Sequence, residues 1–151
     1  MAFWIFKCNP EKYRLEQRLA DPNPTLTWTV SRHRDKIEPG DIAFLWVTGR
    51  DRGIRAIMRV DEAPRLMAEF DSEQTYWVEQ DTRELWRVSG AFIHRNIQLS
   101  SKALHKVPGL EELSVFHGWQ QTTNFPVTPD EGAILTGIIE TDLGPSSSAT
   151  P

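Results

Sequence analysis

The chain opens with Phe3-Trp4-Ile5-Phe6-Lys7-Cys8-Asn9-Pro10, a stretch that predicts the first strand of the fold and where it ends. Its first four residues are aromatic or β-branched, a composition typical of a central strand that is buried on both faces. Asn is a favoured N-cap and Pro is favoured at the first helical position, so Asn9-Pro10 ends the strand and opens a helix. The pattern predicts that this helix carries Tyr13, Leu15 and Leu19.

A second informative segment runs from Leu26 to Arg34. Apolar residues, Trp28 among them, alternate with threonines, which predicts a strand with one apolar and one small polar face. Arg32, His33 and Arg34 follow at once. A large aromatic side chain beside cations suits a pocket that stacks on a nucleic-acid base and holds a phosphate outside. The alternative is that Trp28 is simply core and the basic residues form a solvated turn.

The remaining chain predicts further strands, turns and one long helix. A Pro39-Gly40-Asp41 turn leads into an apolar strand, and a loop then reverses the chain into a β-hairpin. Thr128-Pro129-Asp130-Glu131 has the pattern of a capping box that opens the final helix. The expected segments are a strand at 42–47, a hairpin strand at 54–60, an irregular acidic region at 61–82, a strand at 86–97 and a polar loop at 118–126.

This order of elements predicts an α+β fold in one domain. The sheet is expected to be mixed, mostly antiparallel and curled into a partial barrel flanked by helices. The domain is expected to span residues 1–141. Residues 142–151 are rich in Pro and Ser, so we expect a disordered tail or linker there.

Charge and hydropathy narrow the class of partner. The net charge of −4 argues against a nonspecific nucleic-acid binder, which is usually basic. However, residues 1–65 carry a net +3 and residues 66–151 a net −7, which favours an oriented, selective contact. The sequence contains neither an apolar run of membrane-spanning length nor a secretory signal pattern, so we expect a cytoplasmic protein without a membrane partner.

The sequence contains no recognisable catalytic or metal-binding motif. Cys8 is the single cysteine, and a small buried side chain is the expected role for it. The four histidines are scattered without metal-ligand spacing, and neither a phosphate-binding glycine loop nor a nucleophile elbow is present. We therefore expect a binding module with no catalytic residue, no metal and no cofactor.

The sequence resembles an EVE domain, a member of the PUA-like superfamily that is similar to YTH domains. Four motifs carry the resemblance: the opening Phe3 to Pro10 stretch, Trp28-Thr29-Val30, the Pro39-Gly40-Asp41 turn and the hairpin from Arg50 to Val60. YTH domains read methylated adenine in RNA, and EVE domains are tied by gene-fusion partners to modification-dependent restriction and to RNA modification. The resemblance therefore implies a reader of a modified base, with a fused or associated nuclease or NTPase as a partner.

The resemblance also implies roles for individual residues. Asn9 matches the asparagine that bonds the edge of the flipped base, and Trp28-Thr29 matches a pair that supplies a cage wall and a backbone carbonyl. The second cage wall is matched by Trp77, with Trp46 as the competing candidate. The predicted base-binding residues are Asn9, Trp28, Thr29, Trp46 and Trp77, and the predicted phosphate contacts, which flank them, are Lys7, Arg32, Arg34, Arg50 and Arg52.

DNA is the expected nucleic acid, in a restriction system that uses this chain as its sensor. Three alternatives stay open at this point: an RNA-binding role, an RNA-processing or deaminating enzyme, and a protein-interaction domain that uses the aromatic loop around Trp77.

Overall fold

The aromatic run at the start of the chain forms the first strand of a curled sheet. The computed structural model describes residues 1–117 and 122–149, and within these ranges it contains seven strands and five helices. In chain order they are β1 (Phe3–Cys8), α1 (Leu15–Ala20), β2 (Thr25–Thr29), β3 (Ile42–Val47), β4 (Gly53–Met67), α2 (Asp71–Gln74), β5 (Leu85–His94), β6 (Leu99–Ser100), α3 (Ser101–Leu104), α4 (Ser114–His117), β7 (Asn124–Val127) and α5 (Pro129–Ala149).

The sheet has the strand order β2-β5-β4-β3-β1-β7, and β6 pairs with β4. β1 lies between two neighbours, parallel to β3 and antiparallel to β7. The other described pairs, those of β5 with β2 and of β4 with β3, β5 and β6, are antiparallel. The predicted mixed, mostly antiparallel sheet with a central first strand is confirmed.

The sheet curls without closing into a barrel. Irregularities in the pairing of β4 with β5, at Val60/Glu62 and Glu62/Arg65, bend the long strand β4. The edge strands β2 and β7 meet through the buried Asn124, whose Oδ1 accepts from the backbone N–H groups of Ser31 (3.1 Å) and Arg32 (3.2 Å). A side-chain clamp therefore holds the two edges together where a strand ladder would close a barrel.

The two faces of the sheet carry separate apolar clusters because successive side chains of a strand point to opposite sides. We call inner face the side whose cluster contains Phe6, Cys8 and Trp28. We call outer face the side whose cluster contains Ile5, Phe44 and Trp46, which the residues of α3, α4 and α5 cover. This division places the tryptophans of β2 and β3 on opposite sides of the sheet.

Two local motifs fold as the sequence predicts. Asp41, only 2% exposed, closes the turn before β3, because its carboxylate accepts from the N–H groups of Ala2 and Glu38 and from the Trp4 indole, each at 2.9 Å. The Thr128 hydroxyl accepts from the Glu131 N–H (3.2 Å) and the Glu131 carboxylate accepts from the Thr128 N–H (3.0 Å). The second pair is the predicted capping box at the start of α5.

The predicted helix after Asn9 is wrong at its start. Asn9 caps a turn, with its Oδ1 accepting from Glu11 N–H at 2.9 Å, and α1 begins only at Leu15. The reason is tertiary: Tyr13 forms a β-bridge with Trp77, and Arg14 N–H donates to the Tyr76 carbonyl at 2.7 Å. These contacts hold residues 13 and 14 in a non-helical conformation.

Three other boundaries differ from prediction. β4 continues to Met67, so the first part of the expected irregular region is strand, and β5 ends at His94. The expected polar loop contains β7, and residues 118–121 of that loop lie outside the described residues. Residues 142–149 of the expected disordered tail belong to α5, which runs to Ala149, and residues 150 and 151 lie outside the described residues; the domain boundary at 141 stays a prediction. Within the described part of the chain, no helix has the length and apolar character to span a membrane.

Candidate functional site

A cavity of about 810 Å³ opens at the C-terminal ends of β1 and β3. The two strands are parallel, so both chains leave the sheet at the same edge, with Lys7 opposite Trp46 and Cys8 opposite Val47. The loops after them add Asn9 and Thr48. The described lining residues are Lys7, Cys8, Asn9, Lys12, Tyr13, Thr27, Trp28, Thr29, Trp46, Thr48, Gly49, Arg52, Trp77, Ser101, His105, Val115, Phe116 and Thr123.

The structure brings the predicted base-binding residues together around this cavity. All five of them, Asn9, Trp28, Thr29, Trp46 and Trp77, line it. Of the five predicted phosphate contacts, Lys7 and Arg52 line the cavity, whereas Arg32, Arg34 and Arg50 lie outside its lining.

The inner wall of the cavity consists of Trp28, Tyr13 and Trp77. Tyr13 stands between the two indoles, with its ring centroid 5.9 Å from that of Trp28 and 4.8 Å from that of Trp77, both edge-to-face. Phe6, on the inner face of the sheet, stacks on Trp28 with ring centroids 6.4 Å apart. Trp28 is 8% exposed and Trp77 is half-buried. Trp28 is therefore core and cavity wall at once, which joins the two roles that the sequence left as alternatives.

A buried ion pair fixes the tyrosine of the inner wall. The Tyr13 hydroxyl donates to Glu73 Oε1 at 2.7 Å, and Arg18 Nε donates to Glu73 Oε2 at 2.6 Å. Arg18 is fully buried and also donates to the carbonyls of Asn23 (3.0 Å) and Thr25 (2.5 Å). Burial and the neighbouring carboxylate raise the pKa of Tyr13 far above its ordinary value, so the hydroxyl stays a donor.

A second buried carboxylate orients Trp77 and the end of β2. Glu69 Oε2 accepts from the Trp77 indole N–H at 2.9 Å and from Arg87 Nη1 at 3.2 Å, while Glu69 Oε1 accepts from the Thr27 hydroxyl. Arg87 Nη1 also donates to the Thr29 hydroxyl at 2.9 Å. One network thus sets the position of the indole and of the threonine that line the cavity.

The outer wall consists of Trp46, Phe116 and His105. Trp46 meets Phe116 edge-to-face, with ring centroids 6.1 Å apart, and His105 stacks on Phe116 with centroids 3.7 Å apart and planes 18° apart. Trp46 is buried in the outer-face cluster, Phe116 is half-buried, and His105 is exposed. The cavity therefore extends around the end of the sheet and has an aromatic wall on each face.

The strand ends between the two walls carry polar groups. Asn9 is exposed, its carbonyl accepts from the N–H groups of Lys12 and Tyr13 at 3.0 Å, and its Oδ1 takes the Glu11 N–H. Among the residues that the structure describes, its Nδ2 group donates no hydrogen bond, so two donors remain for a ligand. Thr48 N–H donates to the Cys8 carbonyl at 2.9 Å and ties the second strand end to the first.

The thiol beside Asn9 is not a reactive group. Cys8 is 4% exposed, and burial raises the pKa of its thiol to about 12. Because the thiolate is the nucleophile, a neutral buried thiol packs as a small apolar side chain, as the sequence predicts. Within the described residues, no group of three potential metal ligands lies close enough together to hold an ion.

The cavity is positively charged in an acidic protein. Lys7, Lys12 and Arg52 line it, and its described lining contains no carboxylate, so the lining carries +3 against −4 for the chain. Burial lowers the pKa of Lys7, whose ammonium lies 5.5 Å from the centre of the Phe125 ring. A concave site lined by one sign of charge concentrates ligands of the opposite sign.

The three other predicted cations lie outside the cavity lining. Arg34 stacks on the exposed indole of Trp86, with its Cζ 4.4 Å from the ring centre. Arg32 lines a neighbouring depression of about 420 Å³ together with Asn124. Arg50 is exposed on the loop that supplies Gly49 and Arg52 to the cavity.

Several structural elements of the site were not predicted from the sequence. The predictions omit Tyr13 as a wall residue, the buried carboxylates Glu69 and Glu73, and the stack of His105 on Phe116. The Tyr13–Glu73 bond joins residues 60 positions apart, so local periodicity carries no sign of it. Glu69 and Glu73 lie in the acidic region that was expected to be irregular.

A family model described as "EVE domain" matches residues 2–138. The chain therefore belongs to the EVE domain family, and the predicted membership is confirmed. No match to the chain is found among curated proteins.

Solved structures share the fold over nearly the whole chain. A hypothetical protein from Leishmania major has a TM-score of 0.69 at 16% identity, covering 95% of this chain and 98% of its own. Human THYN1 protein in complex with 5-methylcytosine-containing DNA has a TM-score of 0.62 at 18% identity, covering 93% and 98%. The YTH domain-containing protein mmi1, in complex with RNA, has a TM-score of 0.57 at 13% identity, covering 94% and 83%. The predicted PUA-like, YTH-like fold is confirmed.

Proposed function

We propose that this chain is a non-catalytic reader of a modified base in nucleic acid, and that DNA is its preferred target. The observation that carries the proposal is the cavity itself, where an aromatic wall on a curled sheet meets a cationic lining in an acidic protein. An extruded base needs stacking surface and a nearby cation for its phosphate, and this cavity offers both.

The base is proposed to lie against Trp28 and Trp77. These two indoles contact the same tyrosine, Tyr13, and form one continuous wall. Trp46 is a less suitable partner for Trp28 because its side chain belongs to the cluster on the opposite face of the sheet. We therefore assign the second wall of the base site to Trp77.

Polar groups at the strand ends are proposed to read the edge of the base. The Asn9 amide supplies donors for a ring nitrogen or a carbonyl, and the backbone carbonyl at Trp28-Thr29 accepts from an exocyclic amine, as the family resemblance implies. The Glu69–Arg87 network holds Thr29 through its hydroxyl, so this part of the site is organised before a ligand binds.

Phosphates are proposed to bind first at Lys7 and Arg52, which line the cavity, and then at the surrounding residues Arg32, Arg34 and Arg50. Arg34 stacks on the Trp86 ring. The stack fixes the plane of the guanidinium group and therefore the directions of its N–H donors. The arrangement supports one oriented approach of the backbone to the cavity mouth.

Discrimination by such a pocket follows from simple energies. One buried methyl group contributes about 0.8 kcal/mol by area. Stacking of a base on aromatic side chains contributes about 1–3 kcal/mol, while extrusion from a duplex costs a few kcal/mol. The modified and the unmodified base share the stacking energy, so selectivity depends on how completely the aromatic surfaces bury the added methyl group.

The cellular role that we propose is sensing in a modification-dependent restriction system, with a fused or associated nuclease or NTPase as effector. The gene-fusion partners implied by family membership support this role. The complex of human THYN1 with 5-methylcytosine-containing DNA supports DNA as the target, and the mmi1–RNA complex supports RNA as the competing one.

Binding to matched oligonucleotides tests the proposal. Fluorescence anisotropy is measured with duplex DNA, single-stranded DNA and RNA of one sequence, each carrying cytosine, 5-methylcytosine, adenine or N6-methyladenine at its centre. We expect at least one modified DNA to bind about tenfold more tightly than its unmodified form, a difference of about 1.4 kcal/mol. Equal affinity for every modified and unmodified pair would contradict a reader function, and selectivity confined to RNA would move the target to RNA.

A further inference from the structure

The outer wall of the cavity stands apart from the proposed base site. Trp46 and Phe116 pack in the outer-face cluster, whereas Trp28 packs in the inner-face cluster. Side chains on opposite faces of a strand point away from each other, so one planar base cannot stack on both walls. A base held by Trp28 and Trp77 leaves the outer wall unused.

The cavity is large enough for a second ring. Its volume of about 810 Å³ lies near the upper end of the range of about 300–1,000 Å³ that holds drug-sized ligands. The outer wall provides a stacking surface, because one face of the His105 ring lies on Phe116 and the side chain is exposed. The opposite face of the imidazole is therefore the one that a planar ligand can reach.

Cationic and polar groups lie on the same side. Lys7 is the register partner of Trp46 and extends over Phe125 on the outer face. The Arg52 carbonyl accepts from Ser101 N–H at 2.9 Å, which fixes the Arg52 loop to the start of the short helix that precedes His105. A phosphate that links two nucleotides would thus meet Lys7 and Arg52 as the chain passes around the strand ends.

We propose that the outer wall is a second subsite that binds the nucleotide adjacent to the flipped base, with its base stacked on His105 above Phe116. The inference rests on the proposed function and adds a consequence to it. The protein recognises a dinucleotide unit, and the neighbour of the modified base contributes to affinity through stacking, with little regard to its identity.

Removal of the neighbouring base tests the subsite directly. The probes are short single-stranded DNAs with cytosine, 5-methylcytosine, adenine or N6-methyladenine at the centre, each prepared with normal neighbours or with an abasic site on the 5′ or the 3′ side. Single strands are used because no duplex must be opened. Wild-type protein should lose about fivefold or more in affinity when one of the two neighbours is abasic.

A variant locates that loss on the outer wall. His105→Ala should bind the normal probe about fivefold more weakly than wild type and should be insensitive to the abasic site. His94 lies outside the cavity lining, so His94→Ala should keep the full sensitivity to the abasic site. Thermal unfolding of each variant verifies that it is folded, which is expected because His105 is exposed.

The outcomes are distinguishable. A preference for the modified base without any loss at abasic neighbours would overturn the second subsite and leave the proposed function intact. The same holds if His105→Ala keeps the abasic sensitivity of wild type. Absence of any preference for either modified base over its unmodified counterpart would contradict the proposed function itself.

Discussion

The inner and outer walls of the cavity are both aromatic, but different forces hold them in place. Behind the inner wall, the buried carboxylates Glu69 and Glu73 hydrogen-bond to Trp77 and Tyr13 and pair with the buried cations Arg87 and Arg18. Behind the outer wall, the contacts are apolar, and Phe116 belongs to α4, a helix of four residues. Hydrogen bonds and ion pairs therefore preorganise the inner wall, whereas apolar packing positions the rings of the outer wall.

This difference fits two tasks. Selection of a small modification requires fixed surfaces, because a misplaced ring loses the fit to a methyl group. Stacking on a neighbouring base of any identity requires a surface but tolerates movement. Both buried ion pairs lie behind the wall to which we assign selectivity, so variants of the two walls should differ in stability and in binding.

The largest expected effect is on folding. Glu73→Ala leaves Arg18 fully buried without its carboxylate, and removal of one partner of a buried pair costs about 3–5 kcal/mol. The free energy of unfolding from urea titrations should fall by that amount. Glu16→Ala removes the exposed partner of Arg55 and should cost less than about 1 kcal/mol. Equal losses in the two variants would mean that the inner wall is not fixed by this pair.

Glu69→Gln should weaken the hydrogen bond that positions the Trp77 indole. The change replaces a carboxylate that accepts from the Trp77 indole and Arg87, and hydrogen bonds to charged groups contribute about 1.5–3 kcal/mol each. We expect a stability loss of that order and a lower preference for the modified base in anisotropy measurements. Gln74→Ala, outside the network and the cavity lining, serves as the control. Full selectivity in a destabilised Glu69→Gln protein would show that the network supports folding alone.

Arg52→Ala should change the salt dependence of binding. Each phosphate contact contributes a slope of about −0.7 to −0.9 in a plot of log affinity against log salt concentration. Loss of Arg52 should therefore reduce the slope by about 1. Arg59→Ala, which removes an exposed arginine paired with Asp61 outside the cavity, should leave the slope unchanged. An unchanged slope in Arg52→Ala would show that Arg52 does not contact a phosphate.

The smallest effect separates the two roles of Asn9. Asn9→Ala loses the hydrogen bond that caps the Glu11 N–H and should cost about 1 kcal/mol of stability. The variant should also lose the ability to discriminate one base from another. Asn9→Asp keeps an acceptor for the cap but loses the Nδ2 donors, so it should lose base identity at nearly wild-type stability. Thermal unfolding and binding across the four bases measure both properties. Unchanged base selectivity in both variants would leave Asn9 as a turn cap only.

Local sequence patterns predicted the elements whose conformation depends on residues close together in the chain. The continuous apolar run of β1, the apolar–threonine alternation of β2 and the reciprocal Thr128–Glu131 bonds are encoded within a few residues. β7 was missed because it is four residues long and contains Pro126, which suits an edge strand but resembles a loop. The helix expected at Asn9 was displaced by pairing with residues 76 and 77, a contact that periodicity does not contain.

The sequence predicts the individual residues that line the site but not the networks that position them. The tryptophans and Asn9 were predicted from the family resemblance, and the structure places all of them around one cavity. Their supports were not predicted, because a buried Glu or Arg resembles a solvated charge until the fold brings its partner close. Arg18 and Glu73 are 55 positions apart, and Glu69 and Arg87 are 18 positions apart. The choice between Trp46 and Trp77 likewise depends on which face of the sheet each one occupies.

Binding of modified and unmodified probes to the Trp77→Ala variant tests whether the base lies on the inner wall. Trp77 is half-buried and donates one hydrogen bond to Glu69, so its removal should cost some stability without unfolding the domain. The change removes the second aromatic surface of the proposed base site. We expect affinity for the modified probe to fall by about 1–3 kcal/mol and the preference over the unmodified probe to disappear. Trp86→Ala, which removes an exposed indole outside the cavity, should keep the preference. A folded Trp77→Ala protein that retains the wild-type preference would contradict the assignment of the base to the inner wall.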